Sequence, residues 1–416
     1  MEVSVLGAVI ALIIAIFLII KRVNPVYALI TGSLIGGILS GIGFSNTIKF
    51  MIKGSEHMIP AILRVLTAGV LAGVLIKSGA AIKISEVIID KIGESKVLIA
   101  LTTATMILTA IGVFSDVAVI TIAPIALVIA KKTRVSRMSI LLAMVGGSKA
   151  GNIISPNPNS ISVAENLGVD LTSVMIAGIF PAILGLILTC ILSEKLKRKG
   201  SFISDNDNIQ EVKEVPKFFP AIFGPLVTIV LLMLKPLINL QLDPLIVLPI
   251  GGICGAIAMG KWRNINEYTT FGIKEMSNIA ILLVGTGALS GIIENSTLKY
   301  FIINGVNKLN LPSFSLAPIS SLLLSAITGS TTSTAAIASS IFGETIVKQG
   351  VSPVAVAVMI QAGAIALDNF PQGSCFHITG NSVNMDMKER LRLIPYELVV
   401  GLGMSIISII IFGIVN

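Results

Sequence analysis

Asp116, Lys149 and Asp368 are ionisable residues set inside long apolar stretches of a 416-residue chain. A charge at the middle of a bilayer costs roughly 2.5–3.5 kcal/mol on insertion scales, so each of them needs a reason to be there. All three stand in or beside a polar interruption. The interruptions are Gly112 to Asp116, Ser155 to Ser160 (Ser-Pro-Asn-Pro-Asn-Ser), Thr328 to Thr334 (Thr-Gly-Ser-Thr-Thr-Ser-Thr) and Asp368 to Ser374 (Asp-Asn-Phe-Pro-Gln-Gly-Ser). A helix broken at membrane depth exposes free amides at one new end and free carbonyls at the other. One spot then offers a seat for an anion and, beside it, a seat for a small cation.

That chemistry assigns candidate roles. Ser155, Asn157, Asn159, Ser160, Ser330, Thr331, Gln372, Gly373 and Ser374 are candidate contacts for an anionic substrate. Asp116 and Asp368, with Ser115, Asn369, Thr332 and His377, are candidates for binding a coupling ion, and a sodium ion at the hairpin tips would be the one bound cofactor. Lys149 is either a counter-charge, for the substrate or for an aspartate, or a side chain snorkelling to the interface. Structural alternatives stand beside these roles. The aspartates can cap helix N-termini, His377 can be a packing residue, and the hydroxyls and amides can satisfy neighbouring backbone.

Composition defines the elements that must position these residues. With 54% hydrophobic residues, 12% charged and a mean hydropathy of +0.94, the chain is too apolar for a water-soluble core of its length. The apolar segments have helical length and lack the alternation of an outer-membrane barrel, so an all-α polytopic membrane protein is expected. Met1 to Ile20 has no basic leader or small-residue cleavage site and reads as the first membrane helix. Cys190, Cys254 and Cys375 lie in apolar segments without ligand spacing, which favours reduced packing thiols over disulfides or zinc. The net charge of +8 suits anionic lipid headgroups, and no aromatic-basic stripe points to nucleic acid. Metalloprotease and phosphate-loop motifs are absent; an intramembrane hydrolase using Asp116 and Asp368 as a carboxylate pair stays open, but would leave the duplication described next unexplained.

The chain repeats itself. Gly69, Gly73, Gly112, Lys132, Gly147, Pro156 and Asp170 recur as Gly287, Gly291, Gly329, Lys348, Gly363, Pro371 and Asp386, at offsets drifting from 218 to 215 residues. Residues 1–192 form the first repeat, with a hairpin near 97–130 and a broken helix near 138–165. Residues 193–218 form a polar, mobile cytoplasmic linker. Residues 219–416 form the second repeat, with a hairpin near 311–347 and a broken helix near 354–380. Five crossings plus one re-entrant hairpin per repeat would invert the second relative to the first. With both termini outside, 22 of the 30 Lys and Arg residues fall in cytoplasmic segments, as the positive-inside rule requires. Interrupted segments in matching positions of two halves imply a secondary transporter.

At the breaks the sequence resembles the gluconate permease family of carboxylate transporters, within the ion transporter superfamily. Gly112-Val113-Phe114-Ser115-Asp116-Val117 is similar to that family's phenylalanine and aspartate tip. Gly147-Ser148, Ser155-Pro156-Asn157-Pro158-Asn159 and Leu367-Asp368-Asn369-Phe370-Pro371-Gln372-Gly373 resemble its proline-rich stretches. Asn157 and Gln372 stand where the family commonly has histidine, and Asn159 replaces a glycine, which puts gluconate itself and the coupling ion in question. The resemblance implies inner-membrane symport of a small carboxylate with a proton or sodium, in a homodimer working by an elevator motion. A sodium/proton antiporter using both aspartates is the alternative.

Overall fold

The computed structural model describes residues 2–21, 23–204, 215–238, 240, 242–297, 312–371 and 373–415. Within them the chain is helical, and the β pairing amounts to one isolated bridge, Val3 to Ser296. The first half runs α1 (Val5–Ile20), α2 (Pro25–Leu39), α3 (Phe44–Glu56), α4 (Ile59–Lys77), α5 (Ala80–Ile92), α6 (Val97–Ala110), α7 (Ser115–Thr133), α8 (Arg137–Asn152), α9 (Pro158–Asn166), α10 (Leu171–Ala177) and α11 (Ile179–Leu196). The second runs α12 (Phe218–Ile238), α13 (Pro244–Ala258), α14 (Ile265–Glu294), α15 (Leu316–Thr328), α16 (Thr331–Val347), α17 (Pro353–Ala366), α18 (Ser374–Ser382) and α19 (Met387–Ile409). Prolines open α2, α9, α13 and α17 at the first helical position, where the missing N–H costs nothing.

Among the described residues four helical stretches are long and apolar enough to cross a membrane unaided: Ile59–Lys77, Ile179–Leu196, Trp262–Glu294 and Met387–Ile414. Helix α14 runs for 30 residues. The shorter helices α3 and α5 gather their apolar residues on one face.

The linker is shorter than expected. Helix α11 continues to Leu196, and the chain after it is held to the bundle: Ser136 N donates to Lys197 O at 3.0 Å, Arg137 N to Ser201 O at 2.9 Å and Ser201 N to Glu389 Oε1 at 2.8 Å. Residues 205–214 lie outside the described residues. Arg390 of α19 is 2% exposed. Its guanidinium donates to Glu397 Oε1 at 2.8 Å and Phe376 O at 3.1 Å, and lies 4.4 Å from the Phe376 ring centre. A desolvated cation demands such partners, and this one ties α18 to α19.

Glycines set how the halves meet. A Cβ on Gly272 would lie 1.8 Å from Gly69 O, and one on Gly54 would lie 2.2 Å from Gly287 O. Likewise a Cβ on Gly73 would meet Tyr268 O at 2.1 Å, and one on Gly291 would meet Phe50 O at 2.1 Å. Adding 218 to 50, 54, 69 and 73 gives 268, 272, 287 and 291, so each contact has a mirror contact made by its counterparts. Helices α3 and α4 thus pack on α14 backbone to backbone, the small-residue contact that stands in for the hydrophobic effect inside lipid.

Helix α2 packs on α14 and carries α1, and α13 packs on α4 and carries α12; in a second cluster α6 packs on α8 and α15 on α17. Arg64 of α4 joins the two clusters. It makes a bidentate pair with Asp243, the N-cap of α13 (Nε to Oδ1 3.0 Å, Nη2 to Oδ2 2.8 Å), and a second ion pair with Glu165 of α9. The Asp243 carboxyl is held below its usual range, first by the hydrogen bond from Arg64.

Candidate functional site

The breaks form because the sequence removes helix donors and supplies side chains that cap. After α8, Pro156 and Pro158 each lack an N–H, and Asn157 turns the chain into α9. Asn157 Oδ1 accepts from the Asn159 and Ser160 amides at 3.0 and 3.1 Å, while its Nδ2 donates to Asn152 O at 2.8 Å. The first turn of α9 is therefore already satisfied from within. Helix α18 differs. Its N-cap is Gly373, and among the described side chains none caps it. Gly373 is required there, since a Cβ would lie 2.2 Å from Gly329 O at the turn between α15 and α16.

At the second break the charges meet. Lys149, 2% exposed, donates to Ile365 O at 2.5 Å and forms an ion pair with Asp368 Oδ1. Asp368 Oδ2 accepts from Thr331 Oγ1 at 2.6 Å. One residue on, Thr332 Oγ1 donates to Asn159 Oδ1 at 2.6 Å, and Asn159 Nδ2 donates to Asn152 Oδ1 at 3.1 Å. The α15–α16 turn thus touches both breaks, the second through Thr331 and the first through Thr332. Lys149 does not snorkel; its ammonium lies among the last carbonyls of α17.

Other candidates fall elsewhere. Ser115 and Asp116 stand half-buried in the first turn of α7, which packs on α18, and Asp116 Oδ1 accepts from the Val117 amide at 2.9 Å. Among the described residues Asp116 has no ion-pair partner. His377 Nε2 lies 2.7 Å from Pro371 O on an exposed part of α18, in contact with neither aspartate among the described residues. Ser330 caps α16 through the Ser333 amide. Ser155 Oγ and Asn369 Oδ1 are buried and without a hydrogen-bond partner among the described residues. Gln372 and the Ser374 side chain lie outside what is described.

Two residues were not singled out by sequence. Asn152 receives bonds from both Asn157 and Asn159, and Gln361 Oε1 accepts from Ser160 Oγ at 3.3 Å. The signals were there: Asn152 is the counterpart of Asp368 at an offset of 216, and Gln361 is the one polar side chain in the apolar run of α17. Among the described residues no group of His, Cys, Asp and Glu converges to hold a metal.

This arrangement has known relatives. The profile of the GntP family permeases matches residues 3–415. A Haemophilus influenzae protein described as an uncharacterized transporter is 54% identical over 99% of both chains. The D-serine transporter DsdX of Escherichia coli is 22% identical over 86% of both, and the high-affinity gluconate transporter of Escherichia coli is 23% identical over 53% of this chain and 51% of its own. The crystal structure of the Alcanivorax borkumensis YdaH transporter, at 16% identity, covers 89% of this chain and 90% of its own with a TM-score of 0.68, a likeness of fold. A whole-length profile match, a whole-length relative and a helical membrane fold agree: the chain is a multi-pass membrane transporter, not an enzyme, and belongs to the GntP permease family.

Proposed function

We propose that the protein is an inner-membrane symporter of a small hydroxylated carboxylate, driven by a cation gradient. The observation that carries this reading is the N-terminus of α18, which no side chain caps among the described residues, placed beside a polar turn and the Lys149–Asp368 pair. Two relatives named for D-serine and gluconate move hydroxylated carboxylates, which supports the substrate class. In this reading the α6–α7 and α15–α16 pairs are re-entrant hairpins of inverted repeats. Helices α1–α4 and α12–α14 are the scaffold of a homodimer, and the rest move as an elevator.

Uptake of labelled carboxylates into proteoliposomes under imposed proton or sodium gradients tests it. Accumulation of at least one hydroxylated carboxylate is expected; cation exchange with no organic substrate would replace the symporter by an antiporter. Asn157→Leu is expected to lower uptake about tenfold or more, because it removes the α9 cap and both bonds to Asn152, a loss of roughly 0.5–2 kcal/mol for the cap alone. Normal uptake by this variant would make the first break a structural device only.

The inverted layout has its own check. In intact cells an impermeant thiol reagent is expected to label Lys348→Cys and to miss Lys199→Cys, both exposed positions. The opposite pattern would reverse the orientation, and labelling of both would end the inverted arrangement.

A further inference from the structure

We propose that the Lys149 ammonium is a tethered cation filling the cation seat of the second helix break, so that this break takes no sodium ion. The inference rests on the symport reading for its purpose, but its geometry stands apart from any substrate. Ile365 is the next-to-last residue of α17, and its carbonyl is one of the four that a helix end leaves without an intrahelical partner. Partial negative charge gathers at such an end. Asp368, three residues on, adds a full one. A carbonyl and a carboxylate oxygen converging at a helix C-terminus are the oxygen donors a small cation takes, and here both are taken by Lys149 Nζ.

The repeat shows that the seat is furnished from the other half. At the offset of 216, Ile365 is the counterpart of Lys149 and Asp368 the counterpart of Asn152. The lysine of α8, beside the first break, therefore neutralises the aspartate of the second, while the position that matches that aspartate, Asn152, is uncharged. Every polar atom at the ends of the pair is engaged: Nζ by Ile365 O and Asp368 Oδ1, and the second Asp368 oxygen by Thr331 Oγ1. Asp116 is then the membrane-depth aspartate left without a cation among the described residues, and the driving cation is met there.

The prediction is that removing the tether opens the seat. Purified Lys149→Ser is expected to be destabilised in N-methylglucamine chloride and to recover by several degrees of melting temperature, saturably, in sodium chloride, since a cation binding only the folded state stabilises it. Any sodium shift of the parent, which Asp116 can supply, is expected to persist in Asp368→Asn. Lys149→Ser/Asp368→Asn, lacking the carboxylate, is expected to lose the sodium response. A saturable sodium shift in the parent that vanishes in Asp368→Asn would overturn the proposal, as would a Lys149→Ser protein equally unstable in both salts. These melts use no substrate. Failure of carboxylate uptake with the sodium pattern intact would thus count against the symport reading alone.

Discussion

Asp368→Asn is expected to abolish concentrative uptake and to lower stability by about 3–5 kcal/mol, the cost of leaving a buried charge without its partner. Lys149 is 2% exposed, and the Asp368 side chain 12%. With the carboxylate gone the ammonium keeps one carbonyl and loses its neutralising charge. Lys149→Met alone is expected to do comparable harm, by stranding the carboxylate. The double variant Lys149→Met/Asp368→Asn separates folding from function: it is expected to regain most of the lost stability, because no unpaired charge remains, without regaining accumulation. Thermal melts and proteoliposome uptake on the three variants complete the cycle. If each single variant melts with the parent, the two residues do not depend on each other as the geometry requires.

Gly272→Ala is expected to have the second large effect, and on assembly rather than chemistry. Its added carbon would lie 1.8 Å from Gly69 O, a backbone atom that moves only if α4 moves. Gly285→Ala on the same helix is the control, since there the nearest atom is Val26 O at 3.1 Å. The first variant is expected to yield little monodisperse protein in detergent and the second to yield about as much as the parent. Overpacking of this kind costs typically 1–3 kcal/mol where neighbours relax and more where, as here, they are backbone. Equal yields would mean that the α4–α14 contact is looser than drawn.

Much of this was legible in the residues because breaks and repeats are local properties. Pro156, Pro158 and Pro371 lack the amide that would carry a helix through the breaks, and Asp368 among apolar neighbours is conspicuous without any coordinates. Partnerships across the bundle were not legible. Nothing in the spacing of Lys149 says that it meets Asp368 rather than the interface, because 219 residues separate them and both outcomes satisfy a lysine. An amide that meets a substrate and an amide that caps a helix look alike in sequence, so the bonds that Asn157 accepts from the α9 amides were not legible either. The partners of Arg390 are another such case. Its burial depends on Glu397, two helical turns further along the same helix, and on a carbonyl of α18. Gln361 and Asn152 escaped because each is a single amide, and what gives them weight is where the other break lies.

The three-residue cluster at Arg64 bears on timekeeping. Arg64 corresponds to Leu282 and Glu165 to Asn381 at offsets of 218 and 216, and Asp243, just before the Pro244 that opens α13, corresponds to Asn24, just before the Pro25 that opens α2. None of those counterparts carries a charge. Two halves that trade places through a transport cycle would make this ion pair on one side of the cycle and nothing equivalent on the other. With side chains about a quarter exposed (25% and 24%), the Arg64–Glu165 pair belongs with surface bridges worth roughly 0.2–1 kcal/mol. That is a preference of about fivefold at most, too weak to stop the cycle and strong enough to decide on which side of it an idle carrier waits.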